Sequence, residues 1–381
     1  MRLAVYNVEN LFDRPKAMNL GTWDEGKAIL QDFAALSELL GELDYTTARK
    51  QRMSELMIRL GLDKQDDAPF VILRRNRGQL LRRPKTGGIE IVADGRADWA
   101  GSLELQSEPI DEIAMRNTAR VIHDLQADVL AVVEAESRPV LEQFNQQILK
   151  AVGGQPMRHV MVIDGNDGRG IDVGLMTGKN HPIGLMRSHV DDRDSKGNDI
   201  FSRDCPEYAV QLPSGQTLWV LVNHLKSKLW VLVNHLKSKG YGGKTTSDRK
   251  RKAQATRIKA IYEARVAAGD ELVAIVGDLN DTPDSDPLSP LLKHTDLKDV
   301  FEHPAFDNGG HPGTYGLCNA GNKIDYILLS PNLFRLVKAG GVMRQGMWPG
   351  VRPKRWETYE DLDHPKNAAS DHAALWVDLD F

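Results

Sequence analysis

The pentapeptide Gly277-Asp278-Leu279-Asn280-Asp281 closes the apolar run VAIV with two carboxylates and an amide. Hydrolysis of a phosphate ester needs one group that aligns or deprotonates water and another that holds a transition-state oxygen. Asp278 suits the first task and Asn280 the second. Asp281 reads as a cap for the turn that follows, DTPDSDPLSPLL. Four further elements carry groups that complete such chemistry. Ser370-Asp371-His372 stands just before the apolar run ALWVDL, and Asp325 enters the apolar run YILLS. A lone carboxylate at the mouth of a buried strand is costly unless paired, and orienting His372 would supply the pairing. Glu134 ends DVLAVVE, another buried charge that calls for a cation, and Mg²⁺ is held by a few carboxylates together with waters and substrate oxygens. Asn7 ends the first apolar run, LAVY.

Each of these groups lies at an end of a segment with strand character, so the fold must gather strand ends. Leu3–Val8 reads as a short buried strand. A helix is expected over Asp111–Leu125, with Ile113, Val121, Ile122 and Leu125 as its apolar stripe, and it feeds directly into the strand DVLAVVE. That succession is the rhythm of an α/β protein. MRHVMVIDG pairs with GIDVGLMT through GNDGRG, and EYAVQL pairs with TLWVLVNHL through PSGQ. Lys250–Ala267 reads as a helix whose basic residues line a solvated face. ELVAIVGDLN, DYILLS and ALWVDLDF are buried strands. Hairpins need antiparallel pairing, so a sheet sandwich flanked by helices fits better than a doubly wound parallel sheet. No boundary splits the chain; residues 13–108 read as an insertion in one domain covering 1–381. Within it, Asp24–Leu62 is helical, and FVILRR, the basic turn RRNRG and QLLRRP read as an added hairpin followed by GIEIVADG.

LWVLVNHLKSK occupies 218–228 and recurs unchanged at 229–239. Two short copies are too few for a repeat architecture, so this is a local tandem duplication, and one strand position can take one copy. The PSGQ turn holds the first copy beside EYAVQL, while the second keeps the exit into GYGGK. The balance tips slightly towards the first.

In their order along the chain, these elements resemble the endonuclease/exonuclease/phosphatase superfamily, over Met1–Phe12 and about Ile110–Phe381. YNVENLF resembles its first-strand motif, with Asn7 the shared amide, and VVEAES its metal-carboxylate motif, with Glu134 the ligand. RGIDVGLM resembles its middle strand, with Arg169 and Asp172 towards the substrate. NHLKSK resembles its catalytic-histidine motif, here present twice, as Asn223-His224 and as Asn234-His235. GDLND, KIDYI and SDH match the remaining motifs. The resemblance implies an α/β (α+β) four-layered sandwich: two mixed, largely antiparallel β-sheets packed face to face and flanked by helices. It implies phosphoester hydrolysis with Mg²⁺ or Mn²⁺, in which Glu134 binds the metal with help from Asn7 and Asp371. Asp278 and Asn280 then position water and a non-bridging oxygen. His372, oriented by Asp325, contacts the phosphate or acts as base, and the NHLKSK histidine contacts the phosphate or protonates the leaving oxygen. Whether Asp278 or His372 takes the proton from water stays open. Minimal nucleases of the family have no counterpart of the insertion.

The bulk numbers set outer limits. Net charge is −4, so no global positive field draws in polyanions, and apolar content of 41% suffices for a sizeable core. Cys205 and Cys318 form no metal or disulfide pattern, no apolar run is long enough to span a membrane, and MRLAVYNVENLF turns polar too early for a signal peptide. A cytoplasmic location is the expectation. The densest basic run, RRNRGQLLRRPK, places Arg74, Arg75, Arg77, Arg82 and Arg83 either on a nucleic-acid backbone or on a solvated hairpin. Trp219, Trp230 and Trp376 read as core, whereas Trp348 and Trp356 lie just upstream of Ser370 and suit the rim of a substrate site. The leading function is a phosphodiester hydrolase, a nuclease acting on DNA or RNA. The alternatives are a phosphatase or phospholipase-type esterase on a small phosphorylated molecule or lipid head group, and a catalytically impaired binding module. No protein partner is inferred.

Overall fold

The computed structural model describes residues 1–381 apart from 19–22, 168–169, 227–243 and 352. The chain forms two compact units, one made of Met1–Phe12 with Ile110–Phe381 and the other of Asp13–Pro109.

The larger unit holds two big sheets. In the seven-stranded sheet the order is 306–307, 337–343, 374–379, 2–7, 129–135, 172–177 and 159–163. In the six-stranded sheet it is 183–187, 207–211, 217–224, 273–278, 325–329 and 298–299. Each sheet has a parallel pair at its centre, Arg2–Asn7 with Val129–Ala135 in one and Thr217–His224 with Val273–Asp278 in the other. Antiparallel strands flank both pairs. The central strands are apolar on both faces because both faces are covered. Leu3, Val5, Ala131 and Val133 of one sheet pack against Val220, Val222, Val276 and Ile327 of the other. The outer faces carry helices: Glu112–Leu125 through Ala119, Val121, Ile122 and Leu125, and Lys244–Ala267 through Ala255, Ile258, Ile261 and Tyr262. Helix, sheet, sheet and helix make the expected four-layered α/β sandwich. The strands Ile183–Arg187 and Val337–Met343 add to those expected.

One expectation is corrected here. The Lys244–Ala267 helix does not turn all its basic residues to solvent. Arg251 is fully buried and Arg265 nearly so, on the same stripe as Ala255, Ile258 and Tyr262. Asp281 takes the Thr282 N–H at the start of the following turn on one carboxylate oxygen at 2.8 Å, and its other oxygen takes the Nε of Arg251 at 3.0 Å inside the protein.

In the smaller unit the helices Trp23–Leu40 and Thr47–Arg59 bury Phe33, Leu36, Leu40, Met53, Leu56 and Met57 against Val71, Leu73 and Trp99. The hairpin through RRNRG does not form. Val71–Gly78 pairs instead with Trp99–Leu105, and Leu81–Arg82 pairs with Glu90–Ile91. The observed partner brings Glu104 to Arg74 at 2.7 Å.

Candidate active site

Strand direction assembles the site. Parallel pairing puts the C-terminal ends of both central pairs at one edge, which brings Asn7, Glu134, His224 and Asp278 to the ends of their strands. The antiparallel neighbours start where these strands end. Asp325 opens its strand directly opposite Asp278, and His372 precedes Ala374–Leu379, which runs antiparallel to the first strand.

Alternation then selects the face. Val220 and Val222, Ala274 and Val276, and Ile327 and Leu329 all point between the sheets. His224, Asp278 and Asp325 continue those rows. Asn223, like Leu221, belongs to the opposite face; its Nδ2 donates to the Leu221 carbonyl at 3.2 Å. Glu134 should by the same rule face outward with Leu130 and Val132. It reaches the inner site because the ladder with Asp172–Thr177 skips it, Asp172 facing Ala135 and Val173 facing Val133. At this bulge Glu134 has φ 65°, and the extra residue re-aims the side chain. Glu9, Asn10 and Asn280 also have positive φ, a left-handed cluster of the kind that collects at functional sites. Gly277 is required beside Asp278: its φ is 135°, and a Cβ there would sit 1.9 Å from the Asn223 carbonyl oxygen.

The side chains meet closely. His224 Nε2 is 3.4 Å from Glu134 Oε1 and 3.6 Å from Asp278 Oδ2. Asn280 donates to Asp278 from its backbone N–H at 2.8 Å and from Nδ2 at 2.9 Å. The Asn7 amide reaches Asp278 at 3.5 Å. His372 Nδ1 is 2.9 Å from Asp325 Oδ2, while its Nε2 lies 4.0 Å from Asp278 and 3.7 Å from Asp371. Burial, and then the charge of Asp325, push the Asp278 carboxyl up to about 8. Burial alone would lower His372, but the charge and hydrogen bond of Asp325 override it and raise the imidazole well above its ordinary value.

Several residues that complete the site carried no recognisable signal. Thr314 Oγ1 donates to Asp325 at 2.6 Å and accepts from the Asp325 N–H at 3.1 Å, which fixes the carboxylate behind His372. The Tyr315 ring lies 4.9 Å from that of His372. Its hydroxyl is held above its usual range by the charge of Asp371 and by burial. Ser370 Oγ donates to the Asn7 carbonyl at 2.8 Å and accepts from the His372 N–H at 3.0 Å. Glu9 accepts from the Asp371 N–H at 3.1 Å. Glu9, two residues after Asn7 within the first motif, and Ser370, the first residue of SDH, were within reach of the sequence.

Other expected residues fall elsewhere. Asp172 is buried, accepts from the Gly165 N–H at 2.8 Å, and is pushed up to about 6 by burial. Arg169, Asn234, His235 and Trp230 lie outside the described residues. The arginines of the basic run belong to the smaller unit, where Arg74 meets Glu104 and both Arg75 and Arg83 meet Asp66; Arg77 and Arg82 are exposed. Trp356 donates from Nε1 to the Met347 carbonyl at 3.2 Å and packs edge-on against His311.

Asp278, Asp325 and His372 offer donor atoms within 4.8 Å of one another, a group able to hold a metal ion. The wider donor set is dominated by oxygen, from Glu134, Asp278, Asp371 and Asn7. That suits a hard divalent cation, and a cation would relieve the buried charge that raises Asp278. Among the described residues, no helix is long and apolar enough to cross a membrane.

A two-sheet sandwich whose strand ends carry a carboxylate–imidazole cluster defines the class of protein. The chain belongs to the endonuclease/exonuclease/phosphatase family, whose model matches residues 109–372, and is a hydrolase of that family. Solved structures similar to it include a mannosyl-6-phosphatase of Bacteroides thetaiotaomicron (17% identity, TM-score 0.49, covering 71% of this chain and 92% of that one). Truncated TDP2 of Caenorhabditis elegans is 15% identical, with TM-score 0.44, covering 70% of this chain and 90% of that one. The human nocturnin catalytic domain is 15% identical, with TM-score 0.43, covering 72% of this chain and 88% of that one. No curated protein matches the chain.

Proposed function

We propose that this chain is a divalent-metal-dependent phosphodiester hydrolase, a nuclease acting on DNA or RNA with Mg²⁺ or Mn²⁺. The observation that carries the reading is the meeting of Asp278, the Asp325–His372 pair and His224 where strand ends of the two sheets come together. Glu134, with Asn7 and Asp371, would hold the cation, which supplies charge neutralisation and orients oxygen. Asn280 fixes Asp278 through two hydrogen bonds, leaving the carboxylate to align the attacking water. His372, kept cationic by Asp325, faces a phosphate oxygen, and His224 stands on the other side of Asp278 to meet the phosphate or the leaving oxygen.

The test is turnover of plasmid, single-stranded oligonucleotide, bis-nitrophenyl phosphate and nitrophenyl phosphate with Mg²⁺, Mn²⁺ or EDTA. Diesters are expected to be cleaved with either metal and not in EDTA, and Glu134→Gln is expected to raise the metal concentration needed. Full activity in EDTA would end the metal-dependent reading. Cleavage of the monoester alone would move the assignment to a phosphatase, and no turnover with any metal to a binding module.

A further inference from the structure

Arg251 and Gln254 are completely buried on the Lys244–Ala267 helix, and neither has a place in the chemistry above. The Arg251 guanidinium spans three anchors. Its Nε donates to Asp281 at 3.0 Å, its Nη1 to the Lys226 carbonyl at 2.7 Å, and its Nη2 to Asp248. Gln254 Oε1 accepts from the Lys226 N–H at 3.0 Å. The preceding residue is held as firmly: the Leu225 N–H donates to the Asp278 carbonyl at 2.9 Å. Its own carbonyl accepts from Asn280 Nδ2 at 3.3 Å and from Arg203 Nη1 at 3.2 Å. All four backbone polar groups of the two residues after His224 are therefore fixed, and half of them by this helix.

A buried ion pair is weak evidence of stabilisation, because apolar side chains of the same volume generally serve as well. What apolar side chains cannot do is join two chain segments at set distances. The planar fork of a guanidinium can, and a lysine ammonium lacks that geometry. We propose that Arg251 is a positioning residue for the reaction: it locks the exit of the His224 strand to the GDLND turn through Lys226 and Asp281. Through that lock it sets the separation between His224 on one side and Asp278 and Asn280 on the other. This role presupposes the phosphoesterase reading and names a residue that keeps its geometry.

Two variants test it. Arg251→Lys keeps the charge and loses the fork. The double variant Arg251→Met/Asp281→Leu removes the fully buried pair together and leaves only the partly exposed Asp248, so no fully buried carboxylate is stranded as it would be by a lone substitution. Both are assayed for hydrolysis of bis-nitrophenyl phosphate with Mn²⁺ and for amide hydrogen exchange. In each, kcat is expected to fall about tenfold to a hundredfold, the scale of a small misplacement of reacting groups, with KM unchanged. Exchange at Leu225 and Lys226 is expected to accelerate while Ile275, in mid-strand, stays protected. A folded double variant with wild-type kcat would overturn the proposal, and so would a loss of kcat with unchanged exchange at those two amides. If the wild-type protein hydrolyses no phosphoester, the phosphoesterase reading fails on its own account. The exchange measurement still decides the lock: accelerated exchange upholds it, unchanged exchange removes it.

Discussion

Asp278 and His372 lie 4.0 Å apart and are shifted in the same direction for different reasons, the acid by burial and a neighbouring carboxylate, the base by the carboxylate behind it. Burial and the neighbouring carboxylate thus favour the protonated form of Asp278, and Asp325 favours the charged form of His372. Both groups are built to act on charge that develops during reaction. Asp278→Asn and His372→Ala are each expected to lower turnover of a diester by at least about a hundredfold, the scale of a positioned acid–base or oxyanion group. Thermal unfolding should stay cooperative, because these are polar strand-end residues outside the packed core. Near-wild-type turnover in either variant would show that the roles sit on other residues. At this scale the sequence was readable wherever a polar group interrupted an apolar run, as Asp278, Glu134, Asp325 and Asn7 do. Thr314 and Tyr315 gave no such mark. They lie in the irregular stretch HPGTYGLCNAGN, and their contacts with Asp325 and His372 depend on how that stretch folds back.

Regular elements were legible where one apolar face ran uninterrupted, and misread where buried positions carry charge. The Lys244–Ala267 helix buries Arg251, Gln254 and Arg265 among Ala255, Ile258 and Tyr262, so its inner stripe looks polar. Val337–Met343 escaped notice because it contains Gly340 and Gly341 and carries only a short apolar run. Arg265 holds Glu207, at the start of Glu207–Gln211, from the helix side, and stacks 3.4 Å over Trp219. His189 reaches the same carboxylate at 3.0 Å. Burial would raise Glu207, but hydrogen bonds from His189 and Arg265 pull it from 4.5 down to about 2. Burial would lower His189, yet Glu207 and Asp192 raise it above 6.5. The signs differ accordingly. The Glu207 contribution is present above pH 4.5 and is lost as pH falls towards 2. The His189 contribution is present below pH 6.5 and is lost as pH rises through its raised folded value. The two are complete together between pH 4.5 and 6.5. Glu207→Gln is expected to cost on the order of 3 kcal/mol at pH 6 and to flatten both limbs of the stability–pH curve. Urea unfolding at pH 3, 6 and 8 measures this, and a variant curve parallel to the wild-type one would refute the linkage.

The whole molecule departs from a minimal sandwich in two places. One is the Asp13–Pro109 unit. The sandwich residues that flank it in sequence are neighbours, the Ile110 N–H donating to the Phe12 carbonyl at 2.8 Å. Replacing residues 13–109 by a short glycine linker is expected to leave a folded protein that still turns over bis-nitrophenyl phosphate. Insoluble or unfolded protein would show that the sandwich depends on the insertion. The other departure is the duplication. The first copy fills the strand, Leu218–Leu221 pairing with Glu207–Val210 and Trp219–His224 with Val273–Asp278. Identical residues in the second copy could make identical side-chain contacts, so the choice rests on the connections. Placing the second copy in the slot would lengthen the turn between Gln211 and the strand by eleven residues. The same number would leave the connection to the Lys244 helix. Loop closure changes by only about 0.6 kcal/mol per doubling of length, so these entropies nearly cancel. What remains is the short turn itself, where the Leu212 N–H meets the Gln216 carbonyl and the Gly215 N–H meets the Leu212 carbonyl, both at 2.9 Å. That geometry belongs to the first copy alone. His224→Ala is therefore expected to abolish turnover and His235→Ala to be tolerated. Deleting residues 229–239 should preserve or improve activity, and should raise solubility by removing a β-prone LWVLV segment that has no place in this strand. The reverse pattern of the two alanine variants would put the second copy in the slot. Inactivation by both would mean that each histidine reaches the site, which one strand position does not allow.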